Sequence, residues 1–340
     1  MAASTPGTVA LTVEFDGAVQ AIVFSPDSAR VAAGGGDSVL RIRVIGTGPV
    51  LDIPVEGFVA SIAYSPDGTA VAIADLDQIF VRDANTGAVR WQGPVESGSS
   101  VNAVAFTSDG RTLVAATDRT VATFGAADGA PGMSKVVEQQ IAGMDVSADG
   151  TKVALAIDER HGGNHHNAGS ARVLDLATGA ERGRLTPANA VFDVAFSPDG
   201  RWVLCGSADG TTRMFESDGG KELWSIENGA SHLAFDPRGT WVVIGGADER
   251  ARVLEAESGV EKCRADHEGA VTRVAFAPNG LWAASGGIDG VVHVLSVKSE
   301  RDRYTLRTGE EMGPMRFSAD SRWLGFGTFN RAVVVDNGVP

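Results

Sequence analysis

Half of the six histidines, His161, His165 and His166, stand in one Gly- and Asn-rich stretch, residues 159–169. Imidazoles are good ligands for divalent transition metals. Here two of the three are adjacent, no cysteine accompanies them, and a Gly/Asn loop does not preorganise a site. The stretch reads as a solvated insertion that touches a partner, and no metal or cofactor is expected. A second chemical set is acidic: Glu14 and Asp16, Glu56, Glu96, Glu138, Glu227, Asp266 and Glu268, and Glu310 and Glu311, spread along the whole chain. Gathered on one face, these carboxylates would attract a basic peptide. No nucleophile–base pair or recurring metal spacing is visible. The run Gly34-Gly35-Gly36 leads into a strand, so it lacks the helix N-terminus that a phosphate site needs. A non-catalytic binding protein is expected.

What must position these groups is a repeat. An apolar alternation ends in an aromatic or Val and then Ser-Pro-Asp-Gly or a variant, with anchors at Phe24, Tyr64, Phe106, Val146, Phe196, Phe235, Phe276 and Phe317. The spacings are 40, 42, 40, 50, 39, 41 and 41 residues, and a period of about 40–45 is that of a propeller blade. A second marker follows each anchor at nearly constant offset: Asp37, Asp77, Asp118, Asp158, Asp209, Asp248, Asp289 and Asn330. Between the markers run small and apolar residues, such as Val203-Leu204-Cys205-Gly206-Ser207, suited to a strand buried on both faces. An alternating strand, a turn and a fourth strand complete each unit. The long fourth spacing is the His-rich insertion.

The eighth unit runs out after its third strand, Ala332-Val333-Val334-Val335-Asp336. Thr8–Val13 is a strand without a repeat of its own, and it predicts ring closure by pairing with residues 331–336. One domain, residues 1–340, is expected: an all-β, eight-bladed propeller of four-stranded antiparallel blades, acting as a monomer. Trp202, Trp241, Trp282 and Trp323 recur three residues after the last anchor residue and are expected to pack between blades.

Composition narrows the partners. A net charge of −14 without a Lys/Arg cluster argues against nucleic acid. No apolar run is long enough to span a membrane. Met1-Ala2-Ala3-Ser4-Thr5 does not read as a secretory signal, and Cys205 and Cys263 are no disulfide framework, so a cytoplasmic protein is expected.

The anchors resemble the WD40 family over essentially the whole chain. Repeat seven carries the resemblance best, from Asp266-His267-Glu268-Gly269 through Phe276-Ala277-Pro278-Asn279-Gly280 to Ile288-Asp289-Gly290. The resemblance implies a buried hydrogen-bonded chain of His267, Ser285 and Asp289 that holds the blade together and is not a catalytic triad. Its last member, a Trp in the family, is Leu295 here. Asp37, Asp77, Asp209 and Asp248 are given the corresponding structural role. The resemblance also implies a protein-binding scaffold. The face formed by Glu56, Glu96, Glu138, His161, His165, His166, Glu268 and Glu310 is its expected contact surface. A second resemblance is to quinoprotein propellers, through Asp83-Ala84-Asn85-Thr86-Gly87-Ala88-Val89-Arg90-Trp91. It implies a cofactor-binding or enzymatic propeller, which would need convergent basic groups in the channel, and none is evident from sequence. A sensor module beside a separate effector is the remaining alternative.

Overall fold

Each blade is organised by its turn. The Ser of Ser-Pro-Asp-Gly donates its hydroxyl to the Asp two residues on and accepts the amide five residues on, as Ser197 does with Asp199 (2.7 Å) and Trp202 (2.9 Å). Ser147 repeats this with Asp149 (2.6 Å) and Lys152 (2.9 Å). Where the Ser is replaced, Asp236 takes the amides of Thr240 (2.6 Å) and Trp241 (2.8 Å) directly. The turn closes the hairpin between the first and second strands and so sets their register. Two repeats put Ser where the others have Gly, at Ser28 (φ 59°) and Ser321 (φ 63°). The hydroxyls of both are used between blades: Ser28 accepts the Asp320 amide (3.1 Å) and Ser321 the Asn279 amide (2.9 Å).

The computed structural model describes residues 5–94, 99–137, 139–158 and 169–338. Strands form eight four-stranded antiparallel sheets, and no helix occurs among the described residues. Seven sheets are sequential meanders. In the eighth, Thr8–Glu14 is the outermost strand and pairs with Arg331–Asp336, from Thr8↔Asp336 to Glu14↔Arg331. The expected closure is therefore the observed one.

The first strands stand innermost, and each touches the first strands of both neighbouring blades around the whole ring. They are Val19–Phe24, Val59–Tyr64, Val101–Phe106, Gln140–Val146, Val191–Phe196, Ala230–Phe235, Val271–Phe276 and Met315–Phe317. The second strands are buried on both faces, as Ala70–Asp75 is throughout. The four recurring tryptophans pack into the clusters between sheets, and Arg303 and Arg322 cap Trp282 and Trp323 at 4.4 and 4.5 Å. Cys205 and Cys263 are free and buried.

Candidate interaction site

Strand direction alternates within a meander, so connections into first strands and connections between second and third strands leave the ring on one side. We call this the loop face. Glu56, Glu227, Glu268 and Glu311 are exposed there and have no ion pair with another described residue. Apolar side chains are exposed beside them: Phe58 and Leu76 in blade two, Ile288 (53% exposed) in blade seven and Phe329 (70% exposed) in blade eight. Sequence reading passed over these apolar residues because each is single in its loop. Glu310 differs from the expected picture of free acids. Its carboxylate lies 2.6 Å from Arg331, and contacts with Thr328 and Arg331 hold it below the usual range. Glu96, Glu138, His161, His165 and His166 lie outside the described residues. The root of the insertion is described: Asp158 pairs with Gly169, and Gly169 lies against the backbone of Asn189 and Ala190, in the connection into blade five.

Beneath the loop face the turn carboxylates tie connections to blades. Asp209 accepts the Ala188 amide (3.0 Å) from the connection and Thr211 amide (2.9 Å) from its own turn. Asp37 takes the Asp16 amide at 3.3 Å. Asp248 lies 3.4 Å from the Asn228 side-chain amide. Three of these carboxylates also hold an arginine four residues on: Asp37–Arg41 (2.6 Å), Asp209–Arg213 (3.2 Å) and Asp248–Arg252 (2.6 Å). Blade two departs from expectation. There the carboxylate that accepts the Glu56 (2.8 Å) and Gly57 (2.9 Å) amides is Asp75, not Asp77. The reason is a tight hairpin in which Asp75 pairs with Gln78, placing Asp77 in the turn itself.

Blade seven has His293 where blades one, five and six have Arg41, Arg213 and Arg252, and His293 bonds Asp302 at 2.9 Å. Asp289 is thereby left to His267. His267 Nδ1 lies 3.1 Å from Asp289, and Nε2 lies 2.9 Å from the Ser285 hydroxyl. An ionised carboxylate only accepts, so Nδ1 carries the proton and Nε2 accepts from Ser285. The His267 ring also meets the His293 ring edge-on at 4.6 Å. The Ser285 residue and the His267 side chain are sealed from solvent, so no substrate could reach this Ser–His–Asp chain.

Burial draws His267 below its usual pKa, against the pull of Asp289. Burial opposes the Asp289 charge, but the Glu268 and Val291 amides and His267 outweigh it and hold Asp289 low. Both shifts favour the fold at neutral pH. The share from His267 is lost as pH falls through about 6.5, where the unfolded imidazole takes a proton. The share from Asp289 goes at lower pH still. Asp289→Ala should cost about 1–3 kcal/mol at neutral pH by leaving buried donors unpaired. Exposed Glu257→Ala should cost less than about 0.5 kcal/mol. Denaturant melts of the two variants check this, and equal midpoints would refute it.

The quinoprotein-like element proves to be a blade-to-blade fastener. Asp83 accepts the Asn85 and Thr86 amides (both 3.0 Å) and pairs with Arg90 (2.8 Å). The Trp91 indole donates to the Ala126 carbonyl of the next blade (2.9 Å). Trp224 does the same to Ala256 (2.8 Å).

One constellation was missed by sequence reading. The inner strands line a central channel, and Asp193, His232 and Arg273 occupy the same place in blades five, six and seven. Aligning the third residue of each first strand would have revealed it. Arg273 donates to His232 Nε2 at 2.6 Å, and His232 Nδ1 faces Asp193 at 3.5 Å. Since a guanidinium only donates, His232 Nε2 accepts, and the ring's proton sits on Nδ1. Arg316 of blade eight also lines the channel. Basic groups therefore do converge there, contrary to the sequence expectation.

Two family models match parts of the chain. The model for the WD domain, G-beta repeat, matches residues 10–43, 181–216 and 261–296. These three segments match WD40 repeats. A model for outer membrane protein assembly factor BamB also matches, over residues 29–182. Among curated proteins no sequence matches. Among solved structures, the C-terminal WD40 domain of Sif2 superposes with a TM-score of 0.80 at 14% identity, covering 99% of this chain and 100% of that one. The computationally designed Ika8 protein gives 0.81 at 20% identity, covering 97% and 100%. Sqt1 of Chaetomium thermophilum, bound to the N-terminus of the ribosomal protein L10, gives 0.80 at 19% identity, covering 95% and 98%. At such identities the likeness is one of fold alone, a propeller, which in this chain has eight four-stranded sheets.

Proposed function

We propose that this WD40 propeller is a non-catalytic scaffold whose loop face binds a basic segment of a protein partner. The observation that carries this reading is the pairing, on one face, of carboxylates without described ion partners with exposed apolar side chains. Glu56, Glu227, Glu268 and Glu311 would steer a cationic peptide in, and Phe58, Leu76, Ile288 and Phe329 would supply apolar area once it docks. Glu96 and Glu138, with His161, His165 and His166 of the insertion, extend the proposed surface. The complex of Sqt1 with a ribosomal protein N-terminus supports the choice of a peptide-like partner.

The test begins with an immobilised peptide array, which should return Lys/Arg-rich sequences that also contain an apolar residue. Against the best of these, Glu56→Gln/Glu268→Gln/Glu311→Gln should slow association roughly ten-fold at low salt with a smaller effect on dissociation. The difference should vanish as the Debye length shrinks from ~10 Å at 0.1 M to ~3 Å at 1 M salt. Phe329→Ala should instead speed dissociation. Wild-type rates in both variants, and in a deletion of residues 160–168, would place the contact surface elsewhere.

A further inference from the structure

The channel carries charged side chains that the loop-face reading does not use. Asp145, Asp193, His232, Arg273 and Arg316 line one arc of a cavity of about 700 Å3, a volume typical of small-ligand sites. The opposite arc offers only neutral polar groups, Gln20, Ser61 and Asn102.

What such a cavity can bind follows from the hydrogen-bonding capacity still open in it. The acids are occupied, including Asp236 of the same lining, which accepts the Thr240 (2.6 Å) and Trp241 (2.8 Å) amides. Asp145 accepts the Val146 (2.9 Å) and Phe196 (2.7 Å) amides. Asp193 accepts the Val194 (3.0 Å) and Leu233 (3.2 Å) amides and faces His232. These bonds cap the exposed edge of the next blade's first strand, so the carboxylates are part of the ring's own framework. The arginines are not occupied to the same degree. Arg273 uses Nη1 on His232 (2.6 Å) and the Thr272 carbonyl (2.6 Å), and Arg316 uses Nη1 on the Met315 carbonyl (3.1 Å). Among the described residues neither has a partner for Nε or Nη2. The open charged groups of the cavity are thus donors on two cations from adjacent blades. The Nε/Nη2 edge of a guanidinium matches a pair of anionic oxygens.

We propose that the central channel binds a small anion bearing carboxylate or tetrahedral oxyanion groups, held between Arg273 and Arg316. The groups around Asp145 give the site a pH dependence. Asp145 is faced by Asp193 from blade five and by Arg316 from blade eight, with His232 and Arg273 on the strands between. Burial, with a smaller push from Asp193, raises its pKa to about 6, while the two amides and Arg316 oppose. Below that pH one negative charge leaves the cavity and the arginines hold an anion more tightly.

Isothermal titration of the whole chain with sulfate and with fumarate tests the site. The two probes separate tetrahedral from carboxylate ligands. We expect one saturable site for at least one of them, weakened roughly ten-fold or more by Arg273→Gln and by Arg316→Gln. Arg111→Gln, on the opposite face, should bind as wild type. Arg316 is exposed to the channel and makes a single backbone bond, so Arg316→Gln decides the matter if Arg273→Gln does not fold. Sulfate stays dianionic between about pH 7.5 and about pH 5, and over that range its affinity should rise more in wild type than in Asp145→Asn. No saturable binding of either anion, or wild-type affinity in Arg316→Gln, would overturn the proposal. A sulfate profile no steeper in wild type than in Asp145→Asn would overturn the part assigned to Asp145.

Discussion

Removing residues 5–14 should abolish the monomeric ring. Thr8–Glu14 is the fourth strand of blade eight, and without it Arg331–Asp336 becomes an open edge with its amides and carbonyls unpaired. The deletion also takes Val13 out of the cluster that joins blades eight and one through Phe15, Val19, Ile22 and Val334. Six register pairs and a buried seam are lost together, an effect of several kcal/mol against a total stability of about 5–15 kcal/mol. The truncated chain should melt roughly 10 °C lower or more and self-associate in size-exclusion chromatography. A permuted chain, with the segment moved to follow residue 338, should recover both properties, because the Gly7 amide already bonds the Asp336 carbonyl at 2.7 Å. A truncated chain that stays monomeric with an unchanged melting temperature would show that the closure is dispensable.

The second large effect is expected from one methyl group. Gly206 is the penultimate residue of the buried second strand of blade five, and a Cβ built there overlaps the carbonyl oxygen of Ala230, the first residue of the inner strand of blade six. The obstacle is backbone, so no rotamer change relieves it, and the two blades must part. Gly206→Ala should cost about 3 kcal/mol, the upper end of overpacking penalties. Gly36→Ala makes the contrast: a Cβ there meets nothing within 4 Å. It should leave stability unchanged or raise it by about 0.4–1 kcal/mol through the unfolded chain. Urea melts of the two variants give the comparison, and a Gly206→Ala midpoint equal to that of Gly36→Ala would refute the close-approach argument.

The ring was legible in the sequence because a blade is specified locally. Ser197, Asp199 and Trp202 write one turn within six residues, and the same hydroxyl-to-Asp turn recurs in six blades, with Asp236 and Ala277 in place of the hydroxyl residue in blades six and seven. Closure was legible for the complementary reason, a strand left over at one end and missing at the other. Even the shift from Asp77 to Asp75 is a local matter of hairpin length. The channel was not legible in this way. Asp193, His232 and Arg273 are separated by whole repeats, and each sits in an apolar strand that reads as core. They become one site only when the first strands are superposed around an axis. The exposed apolar residues of the loop face were hidden likewise, since Ile288 and Phe329 are neighbours by blade and not by sequence.

The pairing of Thr8 with Asp336 also orders events in time. During synthesis the strand Thr8–Glu14 emerges before its partner Arg331–Asp336, with blades one to seven between them. Blades one to seven can each assemble as their own residues emerge, since all their strand pairs are between sequence neighbours. The closing pair of blade eight must wait for the seven blades between its strands, and it carries the largest loop-closure entropy among the described strand pairs. Until then the growing chain is an open arc with two unguarded ends, and the final step from arc to ring is where refolding should be slowest and most sensitive to protein concentration.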